Sequence, residues 1–148
     1  MNPPTPKTPG KAAFIAGTIT LILFSATHMI TMFAAMFTEP TAPAEIEAQR
    51  AMTAVAVDIG PFHSDWSQLN MLLSVSYSAL LFFVAALNLV ALPAVVAHGR
   101  LRAMAAVNAI FVAMLLATSV IYQFPPPGVF ALIALAFFVA AMVKAPRH

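Results

Sequence analysis

Apolar residues in this chain form long, nearly unbroken runs. They do not alternate at the period of two expected of half-buried strands. A bilayer core about 30 Å thick is crossed by roughly 20 apolar residues in a helix. Four runs reach that length or come close to it, at about 12–37, 69–97, 103–122 and 127–143. The fourth is the shortest, and Pro126 or Pro127 can open it because proline is tolerated in a first helical turn. The second is long enough to tilt, or to end near Pro93 with a short interfacial stretch after it. The pattern predicts an all-α fold, an integral membrane four-helix bundle. It forms a single transmembrane domain over 12–145. The polar, proline-rich tail 1–11 that precedes it is expected to be disordered.

The segments between the runs differ sharply. Residues 38–68 form the one sizeable connection. Pro40 and Pro43 break the chain, and 44–57 is then rich in Ala, Glu, Gln, Arg and Met, which favour helix. Ile46, Ala51 or Met52, Val55 and Ile59 fall roughly at helical spacing. This predicts a short amphipathic helix on the membrane surface or capping the bundle, ended by Gly60-Pro61. Ser64 or Asp65 is expected to cap the second long helix, with Trp66 at the depth of an aromatic belt. Residues 123–128 allow only a tight turn, so the third and fourth long helices are antiparallel neighbours.

Composition and charge add direction. The chain is 61% hydrophobic and 8% charged, against about 25% charged in a soluble domain. Six of the seven Lys and Arg residues fall on one side of the expected membrane: Lys7, Lys11, Arg100, Arg102, Lys144 and Arg147. All five acids (Glu39, Glu45, Glu47, Asp58 and Asp65) fall on the other side, with only Arg50 among them. Basic loops remain cytoplasmic. The expectation is a multi-pass protein of the bacterial inner membrane with both termini in the cytoplasm and 38–68 as a periplasmic loop. Ala42-Pro43-Ala44 resembles a signal cleavage site, but the preceding apolar run far exceeds the roughly 7–15 residues of a signal peptide. With no cysteine there is no disulfide and no thiolate site. The scattered basic residues form no stripe for nucleic acid.

His28 is the most informative residue. An ionisable side chain within an apolar run is expected to face the bundle interior. At about 1.5 Å rise per residue it lies roughly 14 Å from the outer end of its helix. Ser74 and Tyr77 of the second helix come at similar depth, and Asn70, Ser74 and Tyr77 share a helical face. Ser119 and Tyr122 occupy the outer half of the third helix. His28, Asn70, Ser74, Tyr77, Ser119 and Tyr122 are therefore a candidate outer-half pocket for a lipid head group, a quinone ring or a haem. The structural alternative is a hydrogen bond from His28 to Tyr77 or Ser74 that joins two helices. A haem needs facing axial ligands, whereas the second outer histidine, His63, lies in a loop. One intramembrane histidine without an intramembrane acid does not supply a metal site. No cofactor and no metal are expected. Asn88 and Asn108 match in depth on helices joined by a short loop, which predicts a structural interhelical hydrogen bond. Gly17, among small residues, permits close packing of the first helix.

The order of features resembles a group of small four-helix bacterial inner-membrane proteins with no established activity. The resemblance rests on Thr27-His28 late in the first helix, Ala51-Met52 in the loop helix and Trp66 opening the second helix. Tyr77 lies on that helix, and Tyr122 precedes the proline turn at Pro125. It implies the four-helix fold and no particular chemistry. The sequence Ser67-Gln68-Leu69-Asn70-Met71 departs from the group's pattern, which is richer there in aromatic and glycine residues.

Phosphate-binding glycine loops, GxSxG, HExxH and paired intramembrane carboxylates are all missing. The expected function is a non-enzymatic structural or accessory membrane protein, or a lipid-binding bundle. Its partners would be membrane lipids and a larger membrane complex or further copies of itself. The rival is a small membrane-embedded enzyme or redox helper acting on a lipid or quinone at the pocket around His28, with Tyr77 as proton donor or acceptor.

Overall fold

The structure is a computed structural model, described for residues 8–123 and 125–146, with Ile59 described by its backbone alone. Most of the tail expected to be disordered, and Arg147, lie outside the described residues. The described chain runs α1 (Lys11–Phe37), α2 (Pro43–Ala54), β1 (Ala56–Ile59), β2 (Phe62–Asp65), α3 (Trp66–Ala97), α4 (Leu101–Ile121) and α5 (Pro125–Lys144). Helices α1, α3, α4 and α5 are each long and apolar enough to cross a membrane.

The helix boundaries follow local chemistry. Helix α3 begins at Trp66, three residues before its apolar run. The Asp65 carboxylate accepts the Gln68 backbone N–H at 2.8 Å, satisfying a first-turn donor that has no partner within the helix. The Ser64 hydroxyl donates to Gln68 Oε1 at 2.8 Å. Helix α3 also continues through Pro93 to Ala97, so the proline costs one backbone hydrogen bond without ending the helix. Helix α5 begins at Pro125, with three prolines leading. Their missing N–H groups belong to positions that have no intrahelical acceptor.

The connection between α1 and α3 differs from its sequence reading. Helix occupies Pro43–Ala54, but Val55 is extended and the chain then forms an antiparallel hairpin. Ile59 pairs with Phe62 across Gly60-Pro61, and Ala56 pairs with Asp65. Gly60 has φ of +60°, the glycine-first arrangement of a two-residue hairpin turn. Val55, Val57 and Ile59 are β-branched and stiff, which favours extended backbone over the helix that their spacing suggested. Helix α2 has no buried residue.

The chain divides into two compact units, one of Met1–Phe24 with Phe82–His148 and the other Ser25–Leu81. The first has a closely packed interior. Its buried side chains recur at alternating three- and four-residue steps: Phe14, Thr18 and Leu21 on α1; Ala85, Asn88 and Leu92 on α3; Leu101, Ala105, Asn108 and Val112 on α4; Ala131, Ala134, Phe138 and Ala141 on α5. That spacing is the seam of near-parallel helix packing. The many small residues let backbones approach, which matters in lipid, where van der Waals contact replaces the hydrophobic effect as the cause of association. The Phe14 and Phe138 rings meet edge-on at 5.5 Å, and Phe24 stacks on Phe130 at 5.2 Å. Gly17 faces the Phe138 ring, and a Cβ there would come within 3.0 Å of it. Gly10, with φ of +84°, caps α1 against the end of α5, where an added Cβ would meet the Ala141 carbonyl oxygen at 2.6 Å. Buried Thr18 returns its hydroxyl to the Phe14 carbonyl at 3.0 Å, leaving no orphan donor.

The second unit holds the later half of α1, α2, the hairpin and the first half of α3. Among its described side chains only Ser25, Ser78 and Leu81 are buried.

Candidate functional site

The polar groups that join helices in the second unit lie on facing segments of α1 and α3. Ser25 on α1 donates its hydroxyl to the Ser78 backbone carbonyl on α3 at 2.7 Å, and both residues are buried. Ser78 in turn donates to the Ser74 carbonyl at 3.1 Å, one turn back on its own helix. His28 lies one turn beyond Ser25, and Tyr77 directly precedes Ser78. Their rings meet edge to face at 5.9 Å with an interplanar angle of 89°. Both rings are partly buried. The two contacts lie on neighbouring turns and form a clasp between α1 and α3.

The remaining residues of the candidate pocket are placed as follows. Ser74 is half-buried and takes part through its carbonyl, and Asn70 is exposed. Ser119 and Tyr122 belong to the other unit. Ser119 lies beside Gly128, where a Cβ on the glycine would approach the Ser119 Cβ to 3.2 Å. Tyr122 ends α4 through its backbone N–H to Thr118 and leaves its ring 79% exposed. Within the second unit, then, His28 and Tyr77 come together with the backbone of Ser74 close by.

His63 sits on the hairpin. Its Nδ1 lies 2.7 Å from Asp58 Oδ1, across the strand pair in register. Both side chains are well exposed, a setting in which an ion pair contributes little. Among the described residues no three of His, Asp or Glu come together as a metal-binding group.

Asn88 and Asn108 face each other inside the first unit. Asn88 Nδ2 donates to Asn108 Oδ1 at 2.7 Å, and Asn108 Nδ2 returns a bond to Asn88 Oδ1 at 3.1 Å. The second Asn108 amide proton reaches the Met104 carbonyl at 2.9 Å. The reciprocal pair satisfies two buried amides that lipid could not.

The Ser25–Ser78 bond was the contact the sequence reading missed. Its signal was present: a serine one helical turn before His28, and another next to Tyr77. Chemically, an imidazole beside a phenol can pass a proton, but no carboxylate occurs within the four apolar helices to orient or charge it. No protein-family model, curated protein or solved structure matches this chain.

Proposed function

We propose that this protein is a non-enzymatic, multi-pass membrane protein with a structural or accessory role, held in lipid by its four apolar helices. The observation that carries this reading is how polar side chains inside those helices are used. Ser25 bonds to the Ser78 carbonyl, Asn88 and Asn108 bond to each other, and His28 packs its ring on Tyr77. Each joins two helices, and interhelical hydrogen bonds such as the first two are worth about 0.6–2 kcal/mol in membranes. Outward-facing Ile30, Phe83, Val90, Ile110 and Leu132 suit contact with acyl chains.

The proposed setting is a bacterial inner membrane with both termini cytoplasmic. In the first unit, the start of α1 touches the end of α5 through Gly10 and Ala141. This brings Lys11 and Lys144 to one end, and basic ends stay inside. In this setting α2 rests on the periplasmic face of the membrane. A label at the C-terminus that reacts from the periplasm overturns this orientation.

A second reading, a membrane-embedded enzyme or redox helper acting on a lipid or quinone, draws on the His28–Tyr77 contact alone. His28→Leu separates the two. For a packing group, thermal stability in detergent falls modestly and copurifying lipids are unchanged in mass spectra. Loss of one bound lipid or quinone species from an intact protein establishes the second reading.

A further inference from the structure

The connection between α3 and α4 is short and polar, and hydrogen bonds close its backbone. Gly99 at φ of +67° ends α3 in a Schellman turn. The Arg100 N–H reaches back to the Val95 carbonyl at 2.8 Å and the Gly99 N–H to Val96 at 3.1 Å, the paired bonds that define this motif. The His98 ring is fixed as well: its Nδ1 lies 2.7 Å from the Ala94 carbonyl. A carbonyl oxygen only accepts, so Nδ1 carries the proton. Arg100 then opens α4, accepting the Met104 N–H at 3.1 Å, and no side chain caps the first turn.

This turn borders a cavity of about 560 Å³. His98, Arg100 and Arg102 supply its polar wall, and Ala103, Ala106 and Met142 supply an apolar floor. An adjoining cavity of about 370 Å³ shares His98 and Arg100 and continues along Ala94 and Val95. Among the described residues neither arginine forms an ion pair, and the one ion pair is His63 with Asp58. Every acid of the chain lies in 39–65, so none is at hand along this stretch of sequence. Two guanidinium groups thus stand at the rim of a cavity, at the end of two apolar helices. Exposed Val90 and Val107 belong to the same two helices, and exposed Val143 lies on α5.

We propose that this cavity binds the phosphate of an anionic phospholipid head group. Arg100 and Arg102 supply the charge, and the first acyl carbons lie along Ala94 and Val95. Guanidinium forks match phosphate oxygens in pairs. Basic recesses at helix ends lie at head-group depth, where an anionic leaflet attracts them. At roughly 30 Å³ per water, the larger cavity has room for about twenty waters, enough for a phosphodiester and its glycerol. The uncapped first turn of α4 adds donors to a site already defined by the cavity and its cations. The proposal rests on the four helices spanning a membrane and is independent of the His28 contact.

The test titrates the full-length protein in mild detergent with phosphatidylglycerol or phosphatidylcholine of the same acyl chains and reads bound lipid by native mass spectrometry. The wild-type protein is expected to prefer phosphatidylglycerol by at least tenfold. Arg100→Gln with Arg102→Gln is expected to lower that affinity about twenty-fivefold, since each basic residue near anionic lipid contributes about fivefold. Ala103→Glu places a carboxylate in the cavity, at a first-turn position where an acid suits the helix, and is expected to act in the same direction without removing an arginine. Arg50→Gln on α2 is expected to leave the preference intact. Equal binding of the two lipids by the wild-type protein, or a preference that survives both cavity variants, overturns the proposal. Millimolar inorganic phosphate is expected not to displace the lipid; displacement identifies free phosphate as the ligand and also overturns it. Failure of the protein to enter the membrane fraction would instead refute the membrane reading, a result distinct from a membrane-bound protein that shows no lipid preference.

Discussion

The two compact units are built from much the same apolar alphabet and are packed very differently. The first unit has a seam of Phe, Leu, Ala and Gly, with rings in contact and backbones close enough that Gly10 and Gly17 leave almost no room for a methyl group. The second has comparable apolar helix segments but buries only Ser25, Ser78 and Leu81 among its described side chains. Apolar content therefore fixes solubility in lipid and says little about tight packing. In a bilayer, Leu against lipid and Leu against Leu are nearly equivalent. Close contact comes from small residues and satisfied polar pairs. The first unit has both, while the second relies mainly on the serine bond and the His28–Tyr77 rings.

This contrast can be broken by single substitutions, scored as loss of unfolding free energy in detergent or bilayer. Gly10→Ala is expected to cost most, about 2–4 kcal/mol, because it combines a left-handed backbone with overlap on the Ala141 carbonyl. Asn88→Leu is expected to cost about 1–2 kcal/mol by leaving the Asn108 amide half-satisfied. Ser25→Ala in the second unit is expected to cost only about 0.6 kcal/mol. A Ser25→Ala loss as large as that of Gly10→Ala would show that the second unit is the better packed of the two.

The long helices were legible because lipid imposes a length and a composition on any segment that crosses it, and residues such as Leu21 and Val112 satisfy both. The Asn88–Asn108 juxtaposition was legible for a similar reason: two amides at one depth, on helices joined by a five-residue-scale turn, have few other partners. The hairpin was not. Residues 44–54 favour helix, and the reading carried that period on through Val55 and Ile59, where β-branching and Gly60-Pro61 favour a strand pair instead. Gly10 was assigned to the tail because nothing in a single sequence shows that α5 returns to meet it. The serine clasp escaped notice because His28 drew attention to Tyr77 and to the Ser74 hydroxyl, while the bond runs from Ser25 to a backbone carbonyl, a partner that every residue offers and no letter in the sequence marks.

The proline-led start of α5 bears on how the chain enters its membrane. From Tyr122 to Gly128 there is no charge, and only three residues separate the end of α4 from the start of α5. In the proposed orientation, a connection that short favours insertion of α4 and α5 as one helical hairpin, with only a neutral turn to translocate. In that orientation the 38–68 connection, which carries all five acids, is the one segment that must cross the membrane with charge on it.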